Sequence, residues 1–286
     1  MVAIDRDRVK RSFDRHAAEY EAYARVQKWV VARIAGLLRD LPAKPRRVLD
    51  IGSGTGMLLR NLAGLYPEAE LIGLDLAFGM GLKARANLAA NASVRFMTGD
   101  AEALPFRDRS FDLVVSTSTF QWLESLDRVF AEAFRVLAPG GWFVFAQFGG
   151  KTLFELRNSY RSAWEGEGLG PEERTHSFHA ASAVEAVLGR AGFNVSQIST
   201  ELEVEYHPDV PALLRSLKRI GAGNAAPASS RGFAKRRVML EMMEIYRKHY
   251  AVEGLIPATY EVIYGKGGKK AGYGSDPDSG DSFSQH

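Results

Sequence analysis

Val48-Leu49-Asp50-Ile51-Gly52-Ser53-Gly54-Thr55-Gly56 is the stretch on which the reading of this chain turns. An apolar run leads straight into a glycine turn, and the amphipathic segment Leu58 to Leu65 follows it, so the pattern is strand, tight turn, helix. Glycine suits such a turn because the backbone must fold sharply and leave room for something to approach it. Outward from this point, short apolar runs alternate with helical stretches. The strand candidates are Arg47 to Ile51, Leu71 to Leu74, Val94 to Thr98, Phe111 to Ser116 and Trp142 to Gln147. Such alternation predicts an α/β fold with a parallel, Rossmann-like sheet covered by helices on both faces.

The flanks complete the plan. Residues 7 to 41 carry apolar side chains at three- and four-residue steps, with a possible break before Val26, and Pro42 and Pro45 end them. This gives an N-terminal helical segment over 1–45 and a core over 46–206. Two helices near 210–221 and 232–250 form a helical insertion or lid over 207–256, and a final strand follows at 257–264. From Gly265 the chain is Gly, Lys, Ser and Asp with almost nothing apolar, so 265–286 is expected to be a disordered tail. A length of 286 residues with 46% hydrophobic side chains suits one compact unit. Cysteine is absent, which excludes disulfides, thiolate nucleophiles and cysteine-built zinc sites, and six scattered histidines favour no metal. No apolar run is long enough to cross a bilayer, and the charged N-terminus is unlike a secretion signal, so a cytoplasmic protein with no membrane role is expected.

The second element, Leu71-Ile72-Gly73-Leu74-Asp75, places an acid about 20 residues after the glycines, where a ribose diol presents two hydroxyls. The competing reading of Asp75 is a helix cap. A dinucleotide site uses the same two elements, but here Asp50 stands directly before the turn. Its negative charge disfavours a pyrophosphate and suits a cationic amino group. The third element, Gly99-Asp100-Ala101-Glu102-Ala103-Leu104-Pro105-Phe106, lets Asp100 accept from an adenine amino group while the Ala101 N–H faces the ring. In order and spacing the three resemble class I S-adenosylmethionine (SAM)-dependent methyltransferases, and Leu137-Ala138-Pro139-Gly140-Gly141 is similar to a late landmark of that family. The resemblance implies SAM as cofactor and S-adenosylhomocysteine (SAH) as product, held by Asp50, Gly52, Ser53, Gly54, Gly56, Asp75, Leu76, Asp100, Ala101 and Ser116.

Ser116 to Leu123 ends the fourth strand, where acceptor chemistry belongs. It carries no Asn-Pro-Pro-Tyr motif and no evident histidine or lysine base. A carboxylate acceptor needs neither, being ionised at neutral pH. Five segments resemble the malonyl-carrier-protein methyltransferases of biotin synthesis: Phe13-Asp14-Arg15-His16-Ala17-Ala18-Glu19-Tyr20, Thr119-Phe120-Gln121-Trp122-Leu123, Phe148 to Leu156, Ser216 to Ala222, and Pro257-Ala258-Thr259-Tyr260. The resemblance spans about residues 8 to 264 and implies methylation of the free carboxylate of a malonyl thioester on acyl carrier protein. Tyr20, Gln121 and Trp122 then line the acceptor pocket; core packing is the plain reading of the two aromatic residues. Basic residues crowd late in the chain, and Lys218, Arg219, Arg236 and Arg237 are expected to meet the acidic carrier, or to send one cation inward to the malonyl carboxylate. Ordinary solvated helix faces are the alternative. Competing readings are a protein modifier resembling the complex I assembly factor described as an arginine hydroxylase, a non-catalytic SAM-binding scaffold, and a dinucleotide oxidoreductase. A nucleic-acid methyltransferase rests on the basic pI alone, and no nucleic-acid partner is expected.

Overall fold

The computed structural model describes residues 5–42, 44–91, 93–168, 178–222 and 233–271. Three helices come first, α1 (Arg6–His16), α2 (Tyr20–Tyr23) and α3 (Arg25–Arg39), followed by β1 (Arg47–Ile51), α4 (Met57–Leu65), β2 (Glu70–Asp75), α5 (Phe78–Asn87) and β3 (Val94–Thr98). Next come β4 (Phe111–Thr117), a 3-10 turn at Phe120–Trp122, α6 (Leu126–Val136), β5 (Leu137–Phe148), α7 (Phe154–Gly166), α8 (Ala181–Arg190) and β6 (Asn194–His207). The chain ends with α9 (Val210–Arg219), α10 (Phe233–Tyr250) and β7 (Ile256–Gly268). The long N-terminal helix expected over 7–41 is three helices. Ala24, with ψ at 56°, leaves helical geometry and sets Tyr20–Tyr23 apart as a single turn.

The seven strands lie in the order β3-β2-β1-β4-β5-β7-β6. β1 to β5 are mutually parallel, whereas β7 pairs antiparallel with both β5 and β6. The sheet is therefore mixed, not wholly parallel. The chain winds outward from β1 in both directions, so the crevice above β1 and β4 is the topological switch point where α/β sheets bind ligands. Alternation along each strand feeds two apolar layers. Val48, Leu113 and Val144 face the layer built with α3, α4, α7, α9 and α10. Leu49, Val114, Phe143 and Phe145 face α6 and α8, where the rings of Phe120, Phe130 and Phe145 pack within 5.7 Å of one another.

β7 continues past residue 264: Gly265, Lys266, Gly267 and Gly268 pair with Phe145, Val144, Phe143 and Trp142. The composition that suggests a tail at these four residues has a packing cause. A Cβ on Gly265 would sit 2.2 Å from the Phe145 ring, and the Lys266 ammonium lies 4.8 Å from the Trp142 ring centroid. Lys269 Nζ then donates to the carbonyls of Phe134 and Leu137 at 2.7 and 2.8 Å. The expected tail beyond residue 271 lies outside the described residues. Among the described residues, no helix is long and apolar enough to cross a membrane.

Candidate active site

The glycine turn is held in shape by its neighbours. Gly52 and Gly54 take φ of 71° and 53°, a region open to glycine and costly for other residues. A Cβ on Gly52 would also fall 2.1 Å from Thr119 Oγ1. The N–H groups of Gly52 and Ser53 both donate to the Leu74 carbonyl, at 2.7 and 3.0 Å, which ties the turn to the end of β2. Asp75 completes the clasp: Oδ2 accepts from the Gly54 N–H at 2.9 Å and Oδ1 from the Ala77 N–H at 2.8 Å. Its capping role and its position at a ligand site are therefore compatible, because each carboxylate oxygen keeps a lone pair to offer.

A cavity of about 100 Å³ opens above this turn. Of the residues expected at a cofactor, Gly52, Gly54, Asp75, Leu76 and Ala101 line it, as do Tyr20 and Trp122. Asp50 lies beneath the turn, 1% exposed, with neither carboxylate oxygen hydrogen-bonded. Burial, reinforced by the charge on Asp75, pushes Asp50 up to about 8. Burial likewise pushes Asp75 up to about 6, against its two backbone hydrogen bonds. Ser53 is buried with its hydroxyl unpartnered. Five expected residues, Asp50, Ser53, Gly56, Asp100 and Ser116, are not part of the cavity wall. Ser116 is fully buried and donates to the Ile51 carbonyl at 2.8 Å, and Gly56 caps α4 against Leu88 and Ala84.

Asp100 is engaged by a residue that no sequence motif singles out. Arg6 on α1 bonds Asp100 at 2.6 Å and Glu102 at 3.0 Å. Burial pushes Asp100 up, but the Arg6 bond and the Glu102 N–H outweigh it and hold the carboxyl below its ordinary range. Arg6, Val9 and Phe13 all line the cavity, so α1 forms one wall of it. The contribution comes from one face of an amphipathic helix, a pattern that looks the same wherever such a helix packs.

A second, smaller cavity of about 30 Å³ shares Phe13, Tyr20, Ser118 and Trp122 with the first. Its own walls include Gln27, Gln121, Phe148, Leu217 and Tyr260, drawn from α3, the 3-10 turn, β5, α9 and β7. Phe13 packs edge-on against Trp122 and Tyr20, with centroids 5.8 and 6.3 Å apart. Burial pushes the Tyr20 hydroxyl well up, with Asp75 and Glu21 adding to the shift, so it stays a hydrogen-bond donor at neutral pH. Gln121 is 4% exposed; Nε2 donates to the Ser118 carbonyl at 2.6 Å, and Oε1 is buried without a partner. Among the described residues this second cavity has no lysine or arginine in its wall. Lys218, Arg219, Arg236 and Arg237 line neither cavity. Arg219 bonds Glu19 and the Tyr23 hydroxyl, Arg237 pairs with Glu167 at 3.0 Å, and Lys218 and Arg236 are exposed. The inward-reaching cation expected from the sequence is therefore not among these four.

Comparison with known proteins fits this geometry. Residues 49–145 match the family model described as a methyltransferase domain. The chain is 53% identical over 264 residues to a malonyl-[acyl-carrier protein] O-methyltransferase of Geobacter sulfurreducens, an alignment covering 92% of this chain and 99% of that protein. A solved Bacillus halodurans protein superposes with a TM-score of 0.60 at 20% identity, covering 84% of this chain and all of that one. A Haemonchus contortus phosphoethanolamine N-methyltransferase, solved with SAH, gives a TM-score of 0.51 at 20% identity over 84% of this chain and 52% of that one.

Proposed function

Because the chain belongs to the malonyl-acyl-carrier-protein O-methyltransferase family, within the class I SAM-dependent methyltransferases, we propose that it moves a methyl group from SAM to the free carboxylate of a malonyl thioester on acyl carrier protein. The methyl ester masks the charge that would otherwise bar chain elongation toward the pimeloyl precursor of biotin. The observation that carries the reading is the pair of joined cavities: one lies over the glycine turn and Asp75, the other, among the described residues, is free of lysine and arginine and meets it at Tyr20 and Trp122.

The residues present suit SAM. Asp50 supplies an unpaired carboxylate for a ligand ammonium, Asp75 keeps acceptor capacity for a ribose diol, and Leu76 and Ala101 flank the ring site. Asp100 can receive an adenine amino group on the oxygen that Arg6 leaves free. SAM supplies an electrophilic methyl on a positively charged sulfur. On the acceptor side, the protein's task is to place an ionised carboxylate in line with that methyl and keep water out. No proton has to be removed, which fits a cavity wall without a basic side chain among the described residues. Tyr20, held protonated by burial, donates to a carboxylate oxygen, and the rings of Phe13 and Trp122 close the sides. The free group on Gln121 is an acceptor, so it faces an N–H of the ligand or of the acyl arm and not the carboxylate. With no lysine or arginine in this wall among the described residues, the cofactor's own positive charge balances the acceptor, and the attraction grows in a poorly hydrated site.

The test is transfer of labelled methyl from SAM to malonyl-carrier, with unacylated carrier and malonyl-CoA alongside. Base-labile label on malonyl-carrier only is expected, and Tyr20→Phe should slow transfer about tenfold while leaving SAH affinity within about twofold. Label that appears equally on unacylated carrier would sink the carboxylate assignment.

A further inference from the structure

Helix α1 is strongly basic, with Arg6, Arg8, Lys10, Arg11 and Arg15 set against Asp7 and Asp14. Arg6 and Lys10 turn inward to the cofactor cavity. Arg8, Arg11 and Arg15 recur at three- and four-residue steps along the outer face and are exposed. α1 leans on the start of α5, where Asp14 Oδ1 accepts the Gly79 N–H at 2.7 Å and Ala17, Ala77 and Met80 pack with Phe13 and Tyr20. On the outer side of α5, Phe78 is 58% exposed and Leu82, one turn later, is 49% exposed; Lys83 and Arg85 follow. Among the described residues, Arg8, Arg11, Arg15, Lys83 and Arg85 have no acidic partner.

The late basic helices differ in part. Arg215, Arg219, Arg237 and Arg247 each face an acid of this chain, at 3.9, 3.0, 3.0 and 2.7 Å, while Lys218 and Arg236 have no acidic partner among the described residues. A partner that docks on those four arginines must displace existing ion pairs, whereas on α1 and α5 its carboxylates meet five unpaired cations around an apolar centre. Exposed apolar side chains rimmed by unpaired charge are the makeup of a protein-docking surface.

We infer that the outer face of α1 and α5, centred on Phe78 and Leu82 and rimmed by Arg8, Arg11, Arg15, Lys83 and Arg85, is where the acidic carrier protein docks. The inference rests on the carrier-dependent reading above. The placement is economical, because the opposite face of α1 walls the cofactor cavity and Phe13 reaches the acceptor cavity. A carrier seated on α1 is thus separated from the reacting groups by about one helix diameter, roughly 10 Å.

Two variants of the full-length protein test this: the triple change Arg8→Glu, Arg11→Glu, Arg15→Glu, and the single change Phe78→Asp. The KM for malonyl-carrier should rise by about tenfold or more in each, with kcat at saturating carrier and the SAH dissociation constant within about twofold of the parent. The paired change Lys218→Glu, Arg236→Glu should leave KM nearly unaltered. An unchanged KM in the triple and single variants, or a large rise only in the Lys218/Arg236 variant, overturns the assignment. So does binding of the parent protein to phosphatidylglycerol vesicles that the triple change abolishes while KM stays constant, since the face would then be membrane-directed. Should the single variant keep its SAH affinity and thermal midpoint, a defect in the triple variant alone counts as misfolding and against docking. Parent protein that methylates no malonyl-carrier at all fails the carrier reading itself, and the docking assignment falls with it.

Discussion

Asp50 is a carboxylate that the fold alone does not justify. It is 1% exposed, neither oxygen has a partner, and a second acid stands nearby. Such a group costs stability unless it is protonated or meets a cation. Since burial raises it to about 8 from 3.8, its contribution to stability is fully present below the ordinary carboxyl range and is lost as pH rises from there through about 8. Asp50→Asn should therefore raise the thermal midpoint of the cofactor-free protein, more at about pH 8 than at about pH 5, while weakening SAH binding by about one to two orders of magnitude. Binding a ligand ammonium requires the ionised form, so parent affinity for SAH should climb with pH toward about 8, with proton release visible by calorimetry in buffers of different ionisation enthalpy. An Asp50→Asn variant that kept parent affinity would place the ammonium elsewhere.

At the scale of elements, what is legible in the sequence depends on whether the signal is local. Strands β1 to β4 and the glycine turn follow from short apolar runs and a turn only glycine fits. Asp75 is readable because its position relative to the glycines is a matter of strand and helix length. α1 is recognisable as a helix, yet its place in the cavity wall is not, because Arg6, Val9 and Phe13 reach the site by tertiary packing. Gln27 carries no signal for the same reason, and Phe148 and Leu217, though they fall in segments that resemble the family, look like ordinary core residues until the fold brings them to the second cavity. β7 shows the opposite failure. Its glycines look like chain that cannot pack, whereas they make room for aromatic rings already present on β5. Gly265→Val should consequently cost about 1–3 kcal/mol through collision with Phe145, measured as a lower denaturation midpoint with an unchanged SAH dissociation constant. A neutral effect on stability would mean that the strand ends where the composition suggests.

For the molecule as a whole, the reaction is arranged as a division of charge. One cavity has the part-buried Asp75 in its wall and the buried Asp50 beneath the glycine turn, and the other, among the described residues, offers neutral donors and aromatic walls. Joined at Tyr20 and Trp122, they suit a cationic donor meeting an anionic acceptor. The most direct measurement is the intact mass of carrier protein after incubation with SAM, comparing malonyl-carrier with acetyl-carrier, which differs in lacking the free carboxylate. Addition of a single methyl group to malonyl-carrier, with none to acetyl-carrier, is the expected result. Methylation of both carriers, or of neither while SAH binds normally, would contradict methyl transfer to the malonyl carboxylate.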